Sequence, residues 1–469
     1  MTRKEFIGAT FVAVACSALP SISTFAAEAT GRALPVPSAR HLEWADCEIG
    51  VIIHQDVQVY EPSYEWYKQM GYTPAPTVFN PSSLDTDQWI ETAKAAGAKY
   101  AVLVAKHCSG FSLWPTKAHD YSVASSPWKD GKGDVVADFI ASCRKFGIKP
   151  GIYASTGANA RLMVSKNEIS DTAKWSAYLD VVKTQLTELW TNYGELFEIW
   201  FDGGNLPPDK GGREIEDLLL RLQPNAIVFQ GNPARIPSLR WCGNEHARVP
   251  EVSWNRSNIG TDSDGTNDGS DPATYAGDFN GRFWVPAEAD TPNRDKIQAF
   301  QGGWMWHPGE DSYVYPAETL LEKYFTSVGR GANMLVGMVI DNRGLVPDAD
   351  VREFRRFGEL LKRLEASKVA YTKGGAHDYL CLDVPEGVHP NLVSVREDLR
   401  KGERVKTWDL WGYDGTKWHT ICHETGMGHR RFVSFHPRDY RRYMLVARDH
   451  RGEGAAEIVD FALYDFRMR

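Results

Sequence analysis

From Cys47 to about Lys368 the chain alternates short apolar runs with amphipathic stretches, and this βα rhythm constrains the fold more than any other feature. Strand-like segments are Glu48–His54, Tyr100–His107, Pro150–Ser155, Leu196–Asp202, Ile227–Gln230, Leu239–Asn244, Trp304–His307 and Met334–Met338. Eight such segments suit a closed (β/α)₈ barrel of the TIM type. Helical patterns fall between several of them, at Asp87–Ala96, Asp134–Phe146, Lys174–Asn192, Glu214–Leu222 and Ala317–Val328, with a last one at Asp348–Leu364. Asp85 stands where a helix N-cap is expected, with Gln88 three residues on.

Beyond Ala370 the helical period stops. Short alternating runs, Leu392–Val395, Thr407–Leu410, Arg431–Ser434 and Tyr443–Val446, are separated by turn residues, which predicts a β-sandwich module. The expected organisation is therefore a barrel over residues 28–368 and a sandwich over 369–469. Residues 1–27 read as a cleavable export signal: Arg3 and Lys4, an apolar run from Phe6 to Leu19, then small residues ending at Ala26-Ala27. That run is shorter than the roughly 20 residues needed to cross a bilayer, so no membrane-spanning segment is expected. The second reading of this segment is a lipoprotein anchored through Cys16.

With 42% hydrophobic and 24% charged residues and a net charge of −8, the chain lacks the basic surface that would draw nucleic acid or anionic membrane. Its aromatic content is 12%, including 16 Trp and 19 Tyr, and flat rings stack on the apolar faces of sugars as readily as they fill cores. The cysteines are scattered, although Cys381 and Cys422 share the C-terminal region and are candidates to pair. No trio of His and carboxylate has metal-ligand spacing, and the reading invokes neither metal nor cofactor. The loop Thr261–Pro272 departs from a calcium-loop pattern at Thr266 and Asn267 and reads as a solvated loop beside the cleft. Nothing in the sequence signals an oligomeric state.

In a (β/α)₈ barrel the C-terminal strand ends carry the active site. Those positions hold His54, His107, Tyr153, Asp202, Gln230, Glu245 and His307, with Glu288 in the segment Phe283–Glu288. In Phe197-Glu198-Ile199-Trp200-Phe201-Asp202-Gly203-Gly204, a period of two turns Glu198, Trp200 and Asp202 inward and Phe197, Ile199 and Phe201 toward the helices. Asp202 then sits at the rim, before two glycines that let the backbone turn. A retaining glycosidase needs one carboxylate to attack the anomeric carbon and a second carboxyl, roughly 5–5.5 Å away, to protonate the leaving oxygen. Asp202 suits the first role. Glu245, beside Trp241, and Glu288 both suit the second, and either alternatively forms an ion pair, with Arg248 and Arg282 as partners.

These stretches resemble glycoside hydrolase family 29, the α-L-fucosidases, and within it the plant-type branch acting on α-1,3/4 linkages. The resemblance spans roughly Gly50 to Leu364. It is carried by Gly50–Asp56, Phe79-Asn80-Pro81, Ala98–His107, Gly110–Pro115, Gly131–Asp134, Gly147–Tyr153, Ile199–Gly204, Arg240–Glu245 and Trp284–Glu288. It implies Asp202 as nucleophile, His54 and His107 on the fucose hydroxyls, Tyr153 and Trp304 as walls of the subsite, Glu245 as acid/base and Glu288 as a substrate contact. The implied substrate is a fucosylated oligosaccharide or glycoconjugate. One departure stands out: many relatives read His-His-Asp-Gly-Phe where this chain has His107-Cys108-Ser109-Gly110-Phe111. Two other readings remain open, a binding protein on an inactive barrel and a retaining glycosidase for a related sugar such as galactose.

Overall fold

A computed structural model describes residues 34–258 and 275–468 together with the backbone of 25–27. The export signal, Cys16 and the loop Thr261–Pro272 lie outside the described residues, apart from a short strand Phe25–Ala27 that pairs in parallel with Arg442–Arg451.

Eight parallel strands close the barrel: β1 (Ile49–His54), β2 (Tyr100–Lys106), β3 (Lys149–Ala154), β4 (Glu198–Trp200), β5 (Ile227–Phe229), β6 (Ser238–Trp241), β7 (Ala287–Thr291) and β8 (Asn333–Val339). They neighbour one another in chain order, and β8 returns to β1 with Val339 opposite His54. A short helix α1 (Ala39–Ala45) closes the bottom, where Trp44 packs with Tyr100, Phe197 and Leu335. Outside run α2 (Thr86–Ala95), α3 (Val135–Phe146), α4 (Trp175–Thr191), α5 (Gly212–Leu222), α6 (Ala317–Ser327) and α7 (Asp348–Ala366). Asp85 caps α2 through the Asp87 and Gln88 amides, while the Gln88 side chain reaches across to Val346. Asp134 caps α3 through the Ala137 amide, and Gly147 ends that helix at φ 70°.

The seventh strand corrects the sequence expectation. Trp304–His307 is not a strand. It follows a tight turn, Phe300–Gly303, in which Gln301, Gly302 and Gly303 all have positive φ, and it belongs to the loop after β7. The strand is Ala287–Thr291, in which Glu288 is second from the start, opposite Trp241 of β6 and Asn333 of β8. Phe197 is a smaller correction. It precedes β4 and packs inside the bottom of the barrel against Tyr100, whereas Ile199 and Phe201 face the helices as expected.

After α7 come two antiparallel sheets. One joins Lys368–Ala376, Glu457–Tyr464, Leu392–Glu397 and Arg431–Ser434; the other joins Tyr379–Asp383, Arg442–Arg451, Val405–Tyr413 and Trp418–Thr425. Their apolar faces meet around Trp408, Tyr443, Val393 and Phe461, which makes a sandwich with its own core. Cys381 and Cys422 form no disulfide: their strands are three places apart in one sheet, a separation of about 14 Å at ordinary strand spacing, beyond disulfide reach. No helix among the described residues is long and apolar enough to cross a membrane.

Candidate active site

A pocket of about 520 Å³ opens at the C-terminal ends of the strands. Its wall is a run of rings. Trp304 lies 5.1 Å from His54, His54 lies 5.9 Å from His107, and His107 stacks on Tyr153 at 5.9 Å. Tyr153 stacks on Trp200 at 5.3 Å, and Trp200 lies flat on Phe229 at 3.9 Å. Each ring comes from the end of a strand or the loop beyond it, which is why residues far apart in sequence share one surface. Gly337 of β8 makes the Trp304 position possible, since a Cβ there would come within 2.8 Å of the indole.

Asp202 lies two residues beyond β4 and opens into the pocket, with Gly203 and Gly204 behind it at φ 71° and 85°. Tyr153 Oη donates to its Oδ2 at 2.9 Å. Burial by the pocket walls raises the Asp202 pKa, and the nearby Glu245 charge adds to the rise; the Tyr153 bond opposes both. Glu245, on the turn after β6, lines the same pocket and forms an ion pair with Lys296 rather than with Arg248. Trp241 lines the pocket as well, but its indole N–H is committed to Asp290 at 2.7 Å.

Burial holds both pocket histidines neutral, His54 at about 4 and His107 at about 3. Near neutral pH each imidazole therefore offers one donor and one acceptor, the pairing a sugar hydroxyl needs. No protein group satisfies Nδ1 of either ring, and the nearest carboxylate oxygen to His107 Nδ1, on Asp56, is 3.9 Å away.

Glu288 does not reach the pocket. As the second residue of β7 it points into the barrel below the rings, fully buried, and accepts from Tyr100 Oη at 2.6 Å and Trp200 Nε1 at 2.9 Å. It faces Glu198, also fully buried; burial raises the pKa of both carboxyls, and the Glu288 charge raises that of Glu198 further. Glu288 thus holds the Trp200 indole in place and makes neither a substrate contact nor the Arg282 pair. His307 is likewise outside the pocket, 3.9 Å from Glu310.

Several pocket residues were not singled out in the sequence. Asp290 stands two places beyond Glu288 on the same inward face, so a strand read through to Thr291 would have found it. Its buried carboxyl is pushed well above the usual range, first by desolvation and then by the Glu245 charge. Trp66, Tyr67, Gln301 and Met305 arrive on loops, where no periodicity marks them. The departure at Ser109 is also explained. Its hydroxyl turns away from the pocket, donates to Asp56 Oδ1 at 2.7 Å and accepts from the Phe111 amide, so it fixes the turn rather than touching a ligand.

A closed parallel barrel with carboxyl groups from different strands in one ring-lined pocket is the architecture of a carbohydrate-hydrolysing enzyme. The chain matches the alpha-L-fucosidase family model over residues 33–365 and belongs to that family. It is 29% identical over 441 residues to Alpha-L-fucosidase 1 of Arabidopsis thaliana, covering 86% of this chain and 82% of the relative. Among solved structures it is similar to a protein of Bacteroides thetaiotaomicron VPI-5482, with a TM-score of 0.86 and 32% identity over 92% of this chain and all of the other. A glycoside hydrolase 29 family member from an unknown rumen bacterium gives a TM-score of 0.76 and 28% identity, covering 93% of this chain and 78% of the other.

Proposed function

We propose that this α-L-fucosidase-family glycoside hydrolase removes terminal α-L-fucose from fucosylated glycans by double displacement, with Asp202 as nucleophile and Glu245 as acid/base. One observation carries the reading: the Asp202 carboxylate, bonded by Tyr153, shares a pocket with the Glu245 carboxyl. In the first step Asp202 attacks the anomeric carbon while Glu245 gives its proton to the departing glycosidic oxygen, leaving a fucosyl ester on Asp202. In the second step Glu245 takes a proton from water, which attacks the same carbon, breaks the ester and returns the sugar with its configuration retained. Neutral His54 and His107 bind hydroxyls, and Tyr153, Trp241 and Trp304 wall the sugar. Apolar Ile52, Phe229 and Met305 in the lining favour the C5 methyl of fucose over the hydroxymethyl of a galactose. The basic, apolar and small-residue order of residues 1–27 supports export to the periplasm or beyond.

Hydrolysis of an aryl α-L-fucoside by wild type, Asp202→Asn, Glu245→Gln and Glu288→Gln tests the roles. The reading expects near-complete loss for Asp202→Asn and a loss for Glu245→Gln that azide restores on substrates with good leaving groups. Full activity of Asp202→Asn removes the nucleophile assignment. A Glu288→Gln enzyme that behaves as expected for Glu245→Gln would move the acid role.

A further inference from the structure

Cys108 takes no part in the proposed displacement, yet its buried thiol lies beside two residues that line the catalytic pocket, His107 and Asp202. The turn after β2 places His107 and Cys108 side by side, and β4 brings Asp202 to them across the barrel mouth. One ligand atom from each residue, an imidazole nitrogen, the Cys108 sulfur and an Asp202 oxygen, lies within 4.8 Å of the other two. No local spacing in the sequence reveals this trio, because the fold assembles it from two strands.

We propose that His107, Cys108 and Asp202 form an inhibitory binding site for a thiophilic divalent cation of the Zn²⁺ class. Imidazole, thiolate and carboxylate are the donors zinc takes, at metal–ligand distances of about 2.0–2.3 Å. Those distances imply ligand atoms roughly 3.3–3.8 Å apart in a tetrahedron, so the trio closes on the ion by about an ångström of side-chain rotation. The donors are weakly held: His107 Nδ1 has no protein partner, the Cys108 sulfur makes a long contact of 3.7 Å with Ser155 Oγ and a further one with the Tyr153 hydroxyl, and Tyr153 engages Asp202 through Oδ2. A fourth ligand position is left to water or a sugar hydroxyl. Binding expels the Cys108 thiol proton to solvent, which offsets part of the affinity because burial raises that thiol to about 12. A thiolate ligand selects Zn²⁺ over Mg²⁺ or Ca²⁺, which prefer oxygen donors. The inhibitory part rests on Asp202 as nucleophile: coordination draws electron density from the carboxylate and turns it toward the ion, which weakens its attack on the anomeric carbon.

The test uses the full chain without a histidine tag, in chelator-treated buffer. Zn²⁺ is titrated by calorimetry and, separately, into aryl α-L-fucoside hydrolysis, for wild type, Cys108→Ala and Cys108→Ser, with Mg²⁺ as the oxygen-preferring comparison. The expected result is one Zn²⁺ per chain, inhibition competitive with substrate, and at least a tenfold weakening of both in the two variants, with each variant's metal-free rate as its own reference. Cys108→Ser keeps the side-chain volume, so the test survives if Cys108→Ala fails to fold. No Zn²⁺ binding by wild type, equal binding by the variants, or equal affinity for Mg²⁺ would overturn the proposal. Zn²⁺ binding by a wild type that hydrolyses no fucoside would sink the functional reading and leave the metal site standing.

Discussion

Asp350 of α7 and Arg294 of the loop after β7 form an ion pair with both side chains fully buried, Arg294 Nη2 donating to Asp350 Oδ2 at 2.7 Å. Asn293 Nδ2 donates to Oδ1 at 2.5 Å, and Arg294 Nη1 donates to the Glu310 carbonyl at 2.9 Å. Burial raises the Asp350 pKa to about 6 even against the Arg294 charge, so desolvation outweighs the Coulombic gain. Asp350→Leu strands the guanidinium and is expected to cost about 3–5 kcal/mol. Arg294→Met with Asp350→Leu removes both charges and is expected to recover most of that loss, because an apolar pair of similar volume carries no desolvation penalty. The pH arm follows from the same shift. Asp350 binds its proton more tightly folded than unfolded, so its contribution favours folding below about pH 4 and is lost as pH rises to about 6. The difference between the ordinary Asp value of 3.8 and about 6 amounts to roughly 3 kcal/mol. Urea unfolding of wild type and the single and double variants between pH 4 and 7 measures this directly. The same loop carries Gln301 and Trp304 into the pocket and Lys296 to Glu245, so the single variant also raises KM. A single variant as stable as wild type, or a double variant no better than the single, would refute the reasoning.

Tyr153→Phe removes the one protein hydrogen bond described on Asp202; a bond to a charged group is worth about 1.5–3 kcal/mol, so kcat/KM should fall roughly tenfold to a hundredfold, with the acid limb of its pH profile moving to higher pH. Gly337→Ala places a methyl against the Trp304 indole and the Pro292 backbone and is expected to raise KM severalfold and to cost about 1–3 kcal/mol of stability, as read by steady-state kinetics and calorimetry. Glu397 is buried in the C-terminal module, with its pKa raised to about 8 first by desolvation and then by the Glu403 charge. Its stabilising proton is lost as pH climbs from about 4.5 to 8, so Glu397→Gln, which still accepts from the Arg404 and Val405 amides, should flatten the fall of the unfolding free energy over that range by a few kcal/mol.

The barrel was legible because a parallel sheet covered by helices writes both periods into the chain, and six of the eight strand-end polar residues named from them, all but Glu288 and His307, line the pocket. The misplaced seventh strand has a physical cause. Ala287–Thr291 carries two acidic residues, Glu288 and Asp290, where a buried parallel strand normally reads as an apolar run, while Trp304-Met305-Trp306 has the apolar character without the extended backbone. That error carried Glu288 to the rim and hid Asp290. The Lys296 partner of Glu245 and the trio around Cys108 depend on chain crossings that no local pattern encodes.

The central claim is a covalent bond between sugar and Asp202. Wild-type enzyme treated with a 2-deoxy-2-fluoro-L-fucosyl fluoride, digested with protease and analysed by mass spectrometry, should gain one fluorofucosyl group on the peptide containing Asp202. A label on any other carboxylate, or an active enzyme that releases fucose with inverted configuration, would contradict it.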